Sequence, residues 1–114
     1  MLKNFEDETC DLSEEELQIA QSVKKGLKKY IGKSNAITGS KICSGFNNRT
    51  KHRLQGVRLR KIINYLRNQG EPICSSSNGY YYPANKKELQ DTCTSLAQRI
   101  DSQLQILNQL KKHL

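Results

Sequence analysis

The stretch from Gly56 to Tyr82, GVRLRKIINYLRNQGEPICSSSNGYYY, decides the fold. In its first half, apolar and basic residues recur at helical spacing on different faces, and Gly70 stands where a left-handed residue commonly ends a helix. In its second half, two runs typical of strands, Ile73 to Ser75 and Tyr80 to Tyr82, flank Asn78-Gly79, which is a strong signal for a tight hairpin. The sequence therefore predicts a helix that runs directly into a two-stranded hairpin.

The helix of this stretch is predicted from about Gln55 to Asn68. Its core face consists of four apolar residues at i, i+3, i+4 and i+7, namely Leu59, Ile62, Ile63 and Leu66. The residues predicted to point away from the core are Val57, Arg58, Lys61 and Asn64, with Arg60, Tyr65 and Arg67 towards the flanks. Arginine and lysine suit the edge of guanine and asparagine suits that of adenine, so this outer face is predicted to read bases in a DNA major groove. A solvated basic face on a structural helix is the alternative.

Two further helices are predicted before it. The first runs from about Glu14 to Ile31 and opens with a capping box of Ser13 and Glu16. Its apolar residues at helical spacing are Leu17, Ala20, Val23, Leu27, Tyr30 and Ile31. A short extended segment at Ile37-Thr38 leads into the second helix, from Ser40 to Phe46.

The connection between the second and third helices, Asn47 to Arg53, is too polar to be buried. Its predicted DNA-backbone contacts are Arg49, Lys51 and Arg53. A flexible, solvated run of charge is the alternative interpretation. The residues of the hairpin tip with hydroxyl or amide groups for phosphate oxygens are Ser76, Ser77 and Asn78. Contacts of this kind position a protein on DNA without specifying the sequence.

The last part of the chain carries a heptad pattern. Asn85 is predicted to cap a final helix, with Glu88 completing a capping box. The seam residues then follow with alternating steps of four and three: Leu89, Cys93, Leu96, Ile100, Gln103, Leu107, Leu110 and Leu114. Such a helix packs either on the first helix of its own chain or on a second copy. The single polar seam residue, Gln103, favours a homodimer because one such residue can fix the register.

The charge of the chain is distributed unevenly. The net charge is +8, and from Leu17 to Gly70 there are thirteen Lys and Arg but no acidic residue. Seven of the eleven acidic residues lie between Glu6 and Glu16, so residues 1–12 are predicted to be an acidic, flexible tail. A field of this sign favours a polyanionic partner, and nucleic acid is the commonest one. In an alternative interpretation, the acidic tail shields the basic face within its own chain.

Several classes of function are disfavoured by the sequence. The N-terminus has no apolar core of a secretory signal, and no apolar run reaches the length of a membrane span, so a cytoplasmic location is expected, in a bacterium or in a host cell. The four cysteines, Cys10, Cys43, Cys74 and Cys93, are too far apart for a C-x-x-C pair. There is no phosphate-binding glycine loop and no base beside a likely nucleophile. We therefore expect no enzyme activity, no metal and no cofactor.

The runs ITGSKICSGF and GVRLRKIINYLRNQGEPICSSSNGYYYPA resemble those of winged helix-turn-helix proteins, and within them small phage-type DNA-binding proteins. The shared pattern consists of Leu59-Arg60, Ile63, Leu66-Arg67, Gly70, Pro72 to Ser75 and Gly79-Tyr80. It covers about residues 37–114, together with a polar-capped C-terminal helix. The resemblance implies a mainly α fold with a small β-hairpin, in which a winged helix-turn-helix domain covers residues 13–84. The long C-terminal heptad helix over residues 85–114 follows, and its seam predicts dimerisation.

Two functions fit these observations. The first is a non-enzymatic protein that binds double-stranded DNA as a homodimer and acts in transcription control or replication of a phage or other mobile element. The second is an interaction protein of the same fold, which binds and modulates a protein partner through the long helix or the acidic tail.

Overall fold

The structure, a computed structural model, describes residues 12–49 and 53–114. Within these ranges the chain is mainly helical with one small antiparallel hairpin, as the sequence predicts. The helices are α1 (Glu14–Leu27), α2 (Gly39–Arg49), α3 (Gly56–Asn68) and α4 (Lys86–Lys111). The strands are β1 (Cys74–Ser76) and β2 (Gly79–Tyr81), and a short 3-10 helix spans Lys33–Asn35. Nearly all of the predicted acidic tail, and Lys51 of the basic connection, lie outside the described residues.

Helix α1 begins as predicted but ends earlier. The capping box is present in full, since Ser13 Oγ accepts from the Glu16 N–H and the Glu16 carboxylate accepts from the Ser13 N–H. The helix stops at Leu27 because the following backbone pairs with the end of the hairpin: the N–H of Tyr82 donates to Tyr30 O at 2.8 Å, and the N–H of Gly32 donates to Tyr82 O at 2.8 Å. Ile31, predicted to be apolar core, is therefore exposed.

The core lies where the apolar faces of the first three helices meet. All four residues predicted for the core face of α3 are buried. The other buried residues of this cluster are Ile19, Ala20, Val23, Leu27, Phe46, Leu54 and Ile73. Each fully buried leucine or isoleucine contributes about 1.5–3 kcal/mol relative to an exposed one. This cluster fixes how α3 sits on α1 and α2, and so decides which side of α3 faces outward.

Helix α2 runs three residues further than predicted, to Arg49. Its last turn includes Asn47, whose amide makes two bonds to the backbone of Leu54: Nδ2 donates to the carbonyl at 3.1 Å, and Oδ1 accepts from the N–H at 2.8 Å. Leu54 itself is buried. One side chain thus ties the end of α2 to the residue just before α3, across residues 50–52, which the structure does not describe.

Both strands of the hairpin lie one residue closer to the turn than predicted. Cys74 pairs with Tyr81, Ser75 with Tyr80 and Ser76 with Gly79, so the turn consists of Ser77 and Asn78. Ile37 forms an antiparallel bridge to Tyr80 on the side of β2 that faces away from β1, so a single extended residue lies beside the hairpin there. Tyr80 and Tyr82 pack against the core cluster, whereas Tyr81 between them is buried but is not a member of that cluster.

The N-terminal half of α4 packs along β1. Buried Thr92 binds the backbone of Ser75 through its hydroxyl, which accepts from the N–H at 3.4 Å and donates to the carbonyl at 3.5 Å. A strand edge with unpaired backbone groups can pair with another chain. The open edge of β1 is covered by α4. Asn85 caps the helix as predicted, but the Glu88 carboxylate accepts from the N–H groups of Ala84 and Lys33 rather than from Asn85.

The C-terminal half of α4 projects away from the rest of the described chain. Every residue from Ile100 to Leu114 is exposed. The interpretation in which the heptad seam packs on the first helix of the same chain is therefore wrong for this half of α4. In the described ranges, no helix combines the length and the apolar character needed to cross a membrane.

Candidate nucleic-acid interface

A cleft of about 840 Å³ lies between α2, α3, the hairpin and α4. The start of α2 contributes Thr38, Gly39 and Ser40, and the tip of the hairpin contributes Ser75, Ser76 and Ser77. One flank of α3 forms the floor with Arg60, Asn64 and Arg67, and the middle of α4 forms a wall with Ser95, Leu96 and Arg99. We call this surface the α3–hairpin cleft.

The α3–hairpin cleft is cationic and polar. Its three arginines, Arg60, Arg67 and Arg99, come from two different helices, and the described residues that line it include no Asp or Glu. A guanidinium presents several N–H donors in a planar fork, which matches phosphate oxygens and the O6 and N7 edge of guanine. The surface therefore combines hydrogen-bond donors with a positive field in one concave place.

Arg67 also holds the cleft together. Its Nε donates to Ile73 O at 2.9 Å and its Nη2 donates to Ser75 Oγ at 3.2 Å, so the end of α3 is tied to β1. Burial lowers the pKa of Arg67 from its ordinary value, and the nearby positive charge of Arg99 acts in the same direction. An arginine with a lowered pKa still stays protonated at neutral pH, so Arg67 both shapes the cleft and supplies charge to it.

Arg58 and Lys61 do not face this cleft, and their predicted outward orientation is wrong. Both point at the first turn of α1, where Lys61 Nζ lies 3.1 Å from Glu16 Oε1 and Arg58 Nε lies 3.3 Å from Glu16 Oε2. Arg58 also reaches Glu15, at 3.5 Å. The side chain of Lys61 is only 13% exposed. Because α1 packs on this side of α3, the exposed flank is the one that carries Arg60 and Asn64.

Glu16, the acidic residue that pairs with Arg58 and Lys61, carries its negative charge at neutral pH. Burial raises the pKa of Glu16, but hydrogen bonds from Ser13, Lys61 and Arg58 outweigh that effect and leave the pKa below its ordinary value. Glu16 is therefore ionised at neutral pH. Its charge compensates part of the charge of Arg58 and Lys61, which weakens the field on that side of α3.

The other predicted contact residues are divided among several places. Asn64, Ser76 and Ser77 are brought together in the α3–hairpin cleft. Val57 and Arg53 lie beside Arg58 and Lys61, around a smaller depression that includes Glu16. Arg49 is exposed at the end of α2, where its Nε donates to Gly45 O at 3.1 Å. Asn78 is exposed at the hairpin tip, outside the cleft lining.

Three arginines that line the α3–hairpin cleft, Arg60, Arg67 and Arg99, were not among the residues predicted from sequence to contact DNA. Arg60 and Arg67 were placed on the flanks of the third helix. Arg99 lies in the C-terminal helix, where the heptad pattern was interpreted only as a dimerisation seam. A usable signal was present in the acids around Glu15 and Glu16, which are the nearest opposite charges before the long basic stretch. Acids at the start of one helix and bases on another are natural partners, and this pairing would have indicated which side of α3 packs against α1.

Comparisons with protein-family models, with curated proteins and with solved structures give no match to this chain.

Proposed function

We propose that this chain is a non-enzymatic protein that binds double-stranded DNA through the α3–hairpin cleft. The observation that carries the proposal is the cleft itself, in which three arginines, an asparagine and the serines of the hairpin converge without an acidic side chain among the described lining residues. The resemblance described above extends the proposal to transcription control or replication of a phage or other mobile element.

The order and pairing of the elements support a winged helix-turn-helix arrangement. The end of α2 is tied to the residue before α3 by the bonds between Asn47 and Leu54, and α3 is followed by the hairpin. Ile37 pairs with β2 on its other side, as a third short strand would. In that arrangement α3 is the recognition helix and the hairpin is the wing. The recognition helix of such a domain lies in the major groove, where base edges are read.

The positions of the side chains suggest separate tasks within the cleft. Arg60 and Asn64 lie one turn apart on the exposed flank of α3, so we assign them to base edges. Ser76, Ser77 and Arg99 flank the helix from the hairpin and from α4, so we assign them to phosphates on either side of the groove. This assignment replaces the one made from sequence for Arg58 and Lys61, whose charges are directed at Glu16.

The experiment is a fluorescence-anisotropy titration of the full chain with duplex DNA at several salt concentrations. If about five to eight phosphates are neutralised per protomer, the slope of log K against log salt should lie near −4.5 to −7. Arg60→Gln should weaken binding to a selected duplex by about 1–3 kcal/mol and relax the preference at one or two base pairs. Arg99→Gln should weaken all sequences alike and reduce the slope by about 1.

Lys25→Gln is the matched control, because it removes one exposed charge from α1 outside the cleft lining. We expect it to change affinity far less than Arg60→Gln. Equal losses for the two variants would mean that net charge, rather than this cleft, drives binding. No binding at low salt would reject the proposal and favour a protein partner for the same fold.

A further inference from the structure

We infer that the exposed C-terminal half of α4 packs in parallel against the same segment of a second copy of this chain. The carrying observation is an apolar stripe that the described chain leaves open to solvent. Its large members are Ile100, Leu104, Ile106, Leu107, Leu110 and Leu114, each at least 46% exposed. This inference does not depend on DNA binding and is tested without DNA.

The spacing of the stripe selects another helix as its partner. Ile100, Leu107 and Leu114 follow one another at seven residues, and Leu110 falls between the last two with steps of three and four. A repeat of 3.5 residues keeps a seam facing a second helix that winds around the first. A flat or irregular partner surface does not require this period. Leu104 and Ile106 flank the seam on its two sides, where the neighbouring helix of a pair also covers them.

The exposed area is compatible with a specific interface. Together the six residues expose the equivalent of almost four whole residues, or roughly 230–460 Å² of apolar surface per protomer at about 60–120 Å² for each side chain. A pair would bury about 460–920 Å² of apolar surface, and apolar atoms make up about 65% of homodimer interfaces. The total, roughly 700–1,400 Å², overlaps the lower part of the range of stable interfaces, which begins near 1,200 Å².

The charges of this half of α4 permit a copy of itself as partner. Its ionisable side chains are Asp101, Lys111, Lys112 and His113, and none of them occupies a seam position. The rest of the protein is strongly basic, but repulsion between two such domains is screened beyond about 8 Å at physiological ionic strength. A second copy therefore meets a helix segment of low net charge with an apolar stripe.

The one polar seam residue selects the parallel orientation. In a parallel pair, Gln103 faces Gln103 of the second copy, and each amide can donate to and accept from the other. In the antiparallel register that keeps the seam aligned, Gln103 would face Leu107, and two amides would be buried without partners. Burying an unpaired amide is costly, so the parallel pair is favoured.

The first test is sedimentation equilibrium of the full chain at micromolar concentration. We expect twice the mass of the 13.0 kDa chain. Leu107→Asp should give the monomer mass, because it places a charge in the seam. Gln105→Asp introduces the same charge about half a turn away, on the opposite side of the helix, and should leave the dimer intact. Since both positions are exposed in the protomer, far-ultraviolet circular dichroism should show the same fold for both variants.

The second test measures orientation. In a background with Cys10, Cys43 and Cys93 changed to serine, Leu110→Cys should form a disulfide-linked dimer on mild oxidation, and the outward Gln109→Cys should not. A wild-type monomer or an assembly larger than a dimer overturns the inference. So does a dimer in which Leu110→Cys fails to cross-link, because the antiparallel register places that residue beside Ile100 of the second copy.

Discussion

Replacing Glu16 by glutamine should destabilise the fold more than any other single loss of an acidic group in α1. The side chain of Glu16 is 11% exposed, and its carboxylate accepts hydrogen bonds from Lys61 at 3.1 Å and Arg58 at 3.3 Å. Glutamine keeps the size and the capping oxygen but removes the charge. Hydrogen bonds to charged groups contribute about 1.5–3 kcal/mol each, whereas exposed ion pairs contribute under about 1 kcal/mol. Because Lys61 is almost fully covered and Arg58 is partly exposed, we expect a total loss of about 1.5–3 kcal/mol.

Urea unfolding of both proteins, followed by circular dichroism, measures this loss directly. Glu14→Gln is the matched control, since Glu14 lies in the same first turn but is exposed, and it should change the free energy of unfolding by less than about 0.5 kcal/mol. Adding Lys61→Met to wild type and to Glu16→Gln completes a double-mutant cycle. The coupling free energy between Glu16 and Lys61 should exceed about 1 kcal/mol. A coupling near zero would show that the ion pair does not hold α1 on α3.

The same interaction predicts a pH dependence of definite sign. The pKa of folded Glu16 lies below its ordinary value of 4.5, so the folded state binds this proton less tightly than the unfolded state. The stabilisation is therefore complete above pH 4.5 and is lost as the pH falls through the pKa of the folded state. The difference in stability between wild type and Glu16→Gln should shrink at acid pH. A difference that stays constant from neutral to strongly acid pH would contradict the assigned role of the charge.

Two further substitutions, Gly79→Ala and Thr92→Val, test how the hairpin is held, and each has a matched control. Gly79 has φ of +118° and an added Cβ would overlap the backbone carbonyl of Ile37, whereas Gly70 has φ of +98° and open space around it. Gly70→Ala should cost about 1–2 kcal/mol from backbone strain alone, and Gly79→Ala clearly more; equal losses in thermal unfolding would rule out the close approach. Thr92→Val leaves the backbone of Ser75 without its hydroxyl partner and should cost about 1–3 kcal/mol, while Thr94→Val, exposed on the same helix, should cost much less in the same assay.

The helices and the hairpin could be predicted from sequence because short-range physics specifies them. The core face of α3 follows from the 3.6-residue period, and the capping box at Ser13 and the cap at Asn85 follow from side chains that satisfy free N–H groups. Helix ends were less predictable. Helix α1 ends at Leu27 because Tyr30 and Gly32 pair with Tyr82, which is distant in sequence. No local pattern around residue 30 carries that information.

The orientation of the third helix could not be obtained from its own sequence. Its core face was identified correctly, but two basic flanks remained, and only one can be exposed once α1 packs on the other. The choice depends on the contact between α1 and α3 and on the pairing of Glu16 with Arg58 and Lys61. Likewise, Arg99 enters the cleft only because Thr92 fixes α4 along β1. Both facts are tertiary, so the sequence alone could not show which of these side chains line the cleft.

Glu16→Gln also separates the two possible faces of α3 as DNA contacts. If Arg58 and Lys61 contacted DNA, removing the carboxylate that compensates them would strengthen binding. With Arg60, Asn64 and Arg99 as the contacts, the affinity of folded Glu16→Gln should stay close to that of wild type. The same titration thus tests the orientation of α3 independently of any substitution in the cleft.

Helix α4 connects the two proposals physically. Thr92 fixes it to the hairpin, Arg99 reaches the cleft, and the next residue, Ile100, begins the exposed apolar stripe. Arg99 and Leu107 are separated by about 12 Å of continuous helix, with no flexible linker between the cleft and the dimer seam. If both proposals hold, the distance between two clefts is set by rigid helices, and the preferred DNA should contain two related half-sites at one fixed spacing. Inserting base pairs between those half-sites should then reduce the affinity towards that of a single half-site.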